Sequence, residues 1–189
     1  GTFTVTETEG SVRFSLVGPL PLPSGWSRTG PVDHQGRLVL PPGSGLDLVL
    51  TPSSISTSVL SGTIGGHLFL AATAGTIEPA SGHATLDAEA YGTVDLSLSS
   101  AFGSYDGTCS LGSAASPITA SFSTDPPGVP YSQTDGTLTL AAAMSVPSLS
   151  DCQPALPGAA ELAQAIAQLL AGTATLSFTG TVDPVLLAP

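Results

Sequence analysis

Apolar and polar residues alternate along most of this chain, with the two-residue period of strands that bury one face. Near the start, Phe3 and Val5 share one phase against Thr2, Thr4 and Thr6. Val12, Phe14 and Leu16 repeat the pattern, so two strands joined by a turn at Glu9-Gly10 are expected. Further strands are read around 37–40, 46–51, 54–60, 63–71, 84–91, 93–99, 118–123, 137–141 and 173–182. Gly18 to Pro31 contains Pro19, Pro21, Pro23 and Pro31 and reads as an extended loop carrying Trp26 and Arg28. The most apolar run, Val59 to Ile77, is broken by Gly62, Gly65, Gly66, His67 and Gly75. It reads as two strands and a turn, not as a helix in lipid.

One segment has a different period. Leu162, Ile166, Leu169 and Leu170 recur at helical spacing, with Pro157 at or before the first turn and Gly172 placed to cap the end. Roughly ten short strands and this one short helix predict an all-β protein. The expected architecture is an antiparallel β-sandwich forming one domain over 1–189, with a helical insertion at 155–172 before the last strand.

Composition narrows the functions available. The 189 residues include no lysine and no asparagine, and 3 arginines against 14 acids give a net charge of −11. Nucleic-acid binding is therefore not expected, because phosphate neutralisation needs clustered cations. Attraction to anionic lipid fails for the same reason, and no membrane insertion is expected. Serine and threonine make up about a quarter of the chain and charged residues only 9%, so hydroxyls carry much of its solubility. A mean hydropathy of +0.36 is far from that of a disordered chain. Cys109 and Cys152 are the only cysteines and fit one disulfide, and the lysine-free, hydroxyl-rich composition points outside the cell. Gly1-Thr2-Phe3-Thr4 reads as the start of a mature chain, with an export signal that was removed or lies outside this sequence.

The segment Pro126-Pro127-Gly128-Val129-Pro130-Tyr131-Ser132-Gln133-Thr134-Asp135-Gly136-Thr137-Leu138-Thr139-Leu140 leads to Ser145-Val146-Pro147 and then to Cys152. Across residues 125–152 it resembles a turn–strand–cysteine passage found in small secreted actinobacterial β-rich proteins. The resemblance implies export and a disulfide-closed β domain, and it carries no catalytic residue across.

Candidate chemistry is sparse. His34, His67 and His83 form no metal-binding or nucleophile-activating motif, and no Gly-x-Ser-x-Gly elbow occurs, so an enzyme is not expected. An enzyme would need two of the histidines to converge on a carboxylate. Asp87 and Glu89 stand two apart on a predicted strand and project from one face. Calcium is the cofactor such a pair would take, and a solvated sheet face is the plain alternative. Asp106-Gly107 and Asp135-Gly136 read as hairpin turns. A ligand contact is sought at Trp26 beside Arg28, with Tyr91, Tyr105 and Tyr131 as further aromatic platforms. Sheet edges without lysine invite strand pairing between molecules. The first expectation is thus a secreted or cell-surface structural or interaction protein that pairs with itself or another surface protein through edge strands. The second is an extracellular binding module for a glycan or an apolar ligand.

Overall fold

A computed structural model describes residues 2–14, 18–22, 27–31, 33, 35–38, 45–78, 80–132, 134–156, 158, 160–170 and 172–182. The chain order is β1 (Thr2–Arg13), β2 (Pro19–Pro21), β3 (Ser27–Pro31), β4 (Arg37–Leu38), β5 (Gly45–Ser56), β6 (Ser61–Ile77) and β7 (Ala84–Ser100). It continues with β8 (Gly103–Leu111), β9 (Ile118–Ser123), β10 (Thr137–Val146), β11 (Ser150–Gln153), α1 (Ala160–Leu170) and β12 (Gly172–Val182). The fold is all-β with one short helix, as the alternation predicts.

All strand pairs are antiparallel, and they join into one hydrogen-bonded sheet. Its main path runs β11-β8-β7-β9-β10-β12-β1-β2. The branch point is β7. It pairs with β6 along its whole length, while its other edge is shared by β9 over Thr85–Ala90 and by β8 over Gly92–Ser100. One core cluster takes side chains from one end of this path and from the β5–β6 branch off β7. Val12 and Leu20 of β1 and β2 belong to it together with Leu48 and Leu50 of β5 and Leu96 of β7. The sheet is therefore folded over a shared interior. Leu162, Ile166, Leu169 and Leu170 bury the apolar stripe of α1 in the same cluster, which is why this segment keeps a helical period.

Several predicted boundaries are corrected. The turn expected at Glu9-Gly10 is a β-bulge inside one continuous strand. Glu7 faces Gly180 and Glu9 faces Thr179, leaving Thr8 extra, and its hydroxyl donates to the Thr179 carbonyl oxygen at 3.1 Å. A bulge adds one residue and so changes the phase of alternation. The proline-rich stretch is not one loop, since β2 and β3 both pair with the outer edge of β1. Segments 46–51 and 54–60 merge into β5 through a bulge between Leu50 and Ser53. Segments 84–91 and 93–99 merge into β7, and Val59 to Ile77 holds one long strand in place of two and a turn. Glycines cause the last two misreadings. A Cβ on Gly66 would meet the Thr93 carbonyl oxygen, and one on Gly92 would meet that of His67. Here glycine marks the close approach of two backbones and not the end of a strand.

Asp106-Gly107 also lies inside a strand, β8, with Gly107 facing Leu96. Asp135-Gly136 does form a turn, with the Ser132 N–H donating to the Thr137 carbonyl oxygen at 2.8 Å. Pro157 lies outside the described residues.

Candidate functional site

The disulfide between Cys109 and Cys152 is formed. It ties β11 to β8, where Ser150 faces Ser110 and Gln153 faces Thr108, so Asp151 and Cys152 together oppose Cys109. This is a bulge with Asp151 at φ +47°, a left-handed backbone that aspartate tolerates better than most residues. Tyr105 packs against it, its hydroxyl 2.9 Å from the Pro154 carbonyl oxygen and 3.6 Å from Cys109 Sγ. Burial pushes the Tyr105 hydroxyl pKa up from its ordinary value. The cluster is structural, a closed staple with no exposed reactive group.

Asp87 and Glu89 do project from one face of β7, both exposed between buried Ala88 and Ala90. Their surroundings differ. Asp87 accepts a hydrogen bond from the Ser121 hydroxyl at 2.7 Å, whereas Glu89 stands opposite Ala71 and Thr119. Among the described residues, no group of three or more His, Cys, Asp or Glu side chains could hold a metal ion. The histidines do not converge either. His67 Nδ1 is 3.7 Å from Asp47 and His83 Nε2 is 3.4 Å from Asp125. His67 faces Thr93 while His83 adjoins Ala84, about 30 Å apart along β7 at the usual strand rise. His34 and Trp26 lie outside the described residues. The Arg28 backbone pairs with Val5 in β3, and its side chain lies outside them too. Tyr105 and Tyr131, expected as possible platforms, are buried.

Tyr91 is the exception, and it has company. On the outer face of the sheet, Asp47, Phe69 and Tyr91 oppose one another in a single row across β5, β6 and β7. The Phe69 and Tyr91 rings lie with centroids 5.0 Å apart and planes inclined by 39°, and both are half-exposed. The next row holds Val49, His67 and Thr93, and the preceding one Gly45, Ala71, Glu89 and Thr119. Val49 is 48% exposed. Among the described residues, the other large exposed hydrophobic ones, Val59, Phe102 and Val129, lie outside this patch. The outcome is a flat aromatic and aliphatic patch, bordered by Asp47, Glu89 and His67, with no arginine in its rows.

Phe69, Val49 and Asp47 escape a reading of the sequence for sites, and His67 is weighed there only as a catalytic or metal ligand. Their signal is nevertheless present. In Gly66-His67-Leu68-Phe69-Leu70 the alternation sends Leu68 and Leu70 inward, so Phe69 is a large apolar residue in the polar phase. Val49 between Leu48 and Leu50, and Tyr91 between Ala90 and Gly92, break phase in the same way.

Two other surfaces bear on function. A shallow groove of about 410 Å³ between β9 and β10 is lined by uncharged residues such as Ser116, Ile118, Met144 and Pro147. It offers no titratable group for chemistry. The sheet edges are not bare, even without lysine. β2 is Pro19-Leu20-Pro21, β3 ends at Pro31, and β11 is four residues long with a bulge. The long edge strand β5 carries exposed Asp47 and Pro52 and a bulge at Leu50/Ser53. Proline, bulges and charge blunt an edge as lysine does. No helix of the described residues is long and apolar enough to cross a membrane. No protein-family model, curated protein or solved structure matches the chain.

Proposed function

We propose that this chain is an extracellular binding module that presents the outer face of β5, β6 and β7 to a ligand at the cell surface. The observation that carries this reading is the row Asp47–Phe69–Tyr91, which keeps two aromatic rings half-exposed on a sheet whose outer positions are otherwise mostly hydroxyl or charged. Leaving aromatic surface in water costs free energy that burial against a partner recovers. The disulfide supports export, because such bonds persist in oxidising compartments. Net charge and the three arginines argue against an anionic polymer as partner.

Self-assembly through an edge strand is the second reading, favoured by exposed Val49 on the edge strand β5. Pro52 and the adjacent bulge weaken it, since each removes or misaligns a pairing group. Light scattering and negative-stain microscopy of concentrated protein separate the two. A binding module stays monomeric and sediments with intact bacterial cells, and Tyr91→Ser together with Val49→Ser releases it. Regular filaments that vanish on changing Val49 to lysine would replace this reading with the structural one.

A further inference from the structure

Resting on that reading, we propose that the ligand of the β5–β7 face is a neutral glycan, stacked on Phe69 and Tyr91 and hydrogen-bonded by Asp47, Glu89 and His67. A sugar ring has two kinds of surface. Its faces carry C–H groups that pack against an aromatic ring, and its rim carries hydroxyls that need partners. The outer face of this sheet supplies both. Phe69 and Tyr91 give a continuous aromatic surface with centroids 5.0 Å apart. Asp47 lies at one end of their row, and Glu89 flanks the other end, two residues before Tyr91 on the same strand.

Strand spacing and rise set those two carboxylates about 12 Å apart, so the platform between them is wide enough for more than one sugar ring. Ionised carboxylates only accept hydrogen bonds, and sugar hydroxyls donate them. Among the described residues Glu89 makes no side-chain hydrogen bond, so its oxygens are open to a ligand. Asp47 and His67 side chains are 70% and 55% exposed and 3.7 Å apart, which adds an imidazole able to donate or accept at the same border.

The geometry also selects against other ligands. A quaternary ammonium group is recognised by aromatic rings that surround it. Here two tilted rings lie open on one side, a platform and not a cage. Acidic sugars and phosphate-bearing polymers meet Asp47, Glu89 and, four residues beyond Tyr91, Asp95, with no cation in these rows to offset them. Asp95 itself is engaged by the Thr108 hydroxyl at 2.6 Å.

The test has two arms on the disulfide-bonded protein. The first is titration with soluble neutral oligosaccharides of glucose, mannose and N-acetylglucosamine, followed by near-ultraviolet circular dichroism and calorimetry. At least one series should bind, with affinity little changed between about 0.05 and 0.5 M salt, because a neutral ligand releases few counterions. Tyr91→Ser should weaken it roughly tenfold, equivalent to about 1.4 kcal/mol. Asp47→Asn and Glu89→Gln, which leave the rings in place, should each weaken it by a smaller factor while Asp87→Asn does not. The second arm measures sedimentation with bacterial cells before and after periodate cleavage of their surface sugars. Attachment lost on periodate treatment and in Tyr91→Ser supports the glycan. Attachment that survives periodate but is lost in Tyr91→Ser overturns the ligand class and leaves the binding face standing. Attachment indifferent to Tyr91→Ser overturns both, and binding that collapses as salt rises identifies a cationic ligand instead.

Discussion

The ring of Phe69 occupies the space that a side chain on Gly45 would fill. A Cβ built on this glycine meets the far edge of the ring before any other atom. Gly45 faces Ala71 in the β5–β6 ladder, and the Phe69 ring reaches diagonally across to cover it. Glycine at the head of an edge strand thus serves the neighbouring aromatic, which lies flat along the sheet where otherwise it would stand out from it.

Gly45→Ala should displace that ring with little loss of stability. Phe69 is half-exposed and can swing toward water, so the cost should fall well below the roughly 1–3 kcal/mol of overpacking in a closed core. Near-ultraviolet circular dichroism should change while the urea midpoint barely moves, and affinity for any ligand of the face should drop as in Tyr91→Ser. A spectrum and affinity identical to wild type would mean that the ring's position does not matter to binding.

Tyr105 should make stability fall at alkaline pH. Its hydroxyl is buried and donates to the Pro154 carbonyl oxygen, so burial raises its pKa in the folded state above the unfolded value of about 10. A group whose pKa is raised by folding contributes its full share below the unfolded pKa. That share is lost as pH climbs toward the folded pKa, because the unfolded chain ionises first. Unfolding free energy measured from pH 8 to 11 should therefore decline above about pH 10 in the wild type. Tyr105→Phe should be less stable by about 1 kcal/mol at neutral pH and should flatten the decline. Parallel curves for both proteins would assign the alkaline loss to other groups.

Much of this architecture can be read from the sequence, for a simple reason. A strand with one buried face repeats every two residues, and Val94, Leu96 and Leu98, or Leu48 and Leu50, keep that period without error. The length of the strands is harder to read. Glycine carries the same letter whether it ends a strand or admits a neighbouring backbone, and Gly66 and Gly92 do the second. Bulges are equally silent, since Thr8 differs from any other threonine only in having no residue opposite it. The candidate face was hidden by register. Asp47, Phe69 and Tyr91 are about twenty residues apart from one to the next, and only the pairing of β5, β6 and β7 brings them into one row. Asp87 and Glu89 stood out because they are neighbours in sequence, although only Glu89 borders the aromatic pair.

Thr124 is the one fully buried polar side chain among the described residues, and it closes the end of β7. Its hydroxyl accepts the Ala84 N–H at 3.0 Å, while its own N–H donates to the Ala84 carbonyl oxygen at the same distance. Thr124→Val keeps the shape and leaves the Ala84 N–H without a side-chain acceptor, which should cost about 1–3 kcal/mol. Thr124→Ser retains the acceptor and should cost less, about the value of one buried methyl at roughly 0.8 kcal/mol. Chemical denaturation of the pair distinguishes the hydrogen bond from packing. A Thr124→Ser loss larger than the Thr124→Val loss would leave packing as the cause.

The disulfide makes the sharpest demand on stability, because the other anchors of β11 are few: its short ladder with β8, the Tyr105–Pro154 hydrogen bond, and Leu149 and Leu156 packed against the core on either side. That strand has four residues, pairs only with β8 and carries a bulge at Asp151. Its loop of 43 residues encloses β9, β10 and their connections, so the cross-link removes much freedom from the unfolded chain. In the chain-entropy model a loop of that length is worth about 4 kcal/mol. The double variant Cys109→Ala, Cys152→Ala should therefore melt roughly 8–16 °C lower than the oxidised protein. The loss should also be uneven. Leu162, Ile166 and Leu169 anchor α1 in the core independently of β11, and β10 and β12 hold each other through ten facing residue pairs. Hydrogen exchange below the melting temperature should accordingly speed up first at Ser150–Gln153 and its partners in β8, with β10 and β12 still protected. Uniform acceleration across the sheet would mean that the cross-link stabilises the fold only globally, through the unfolded state, and has no role in holding β11 in place.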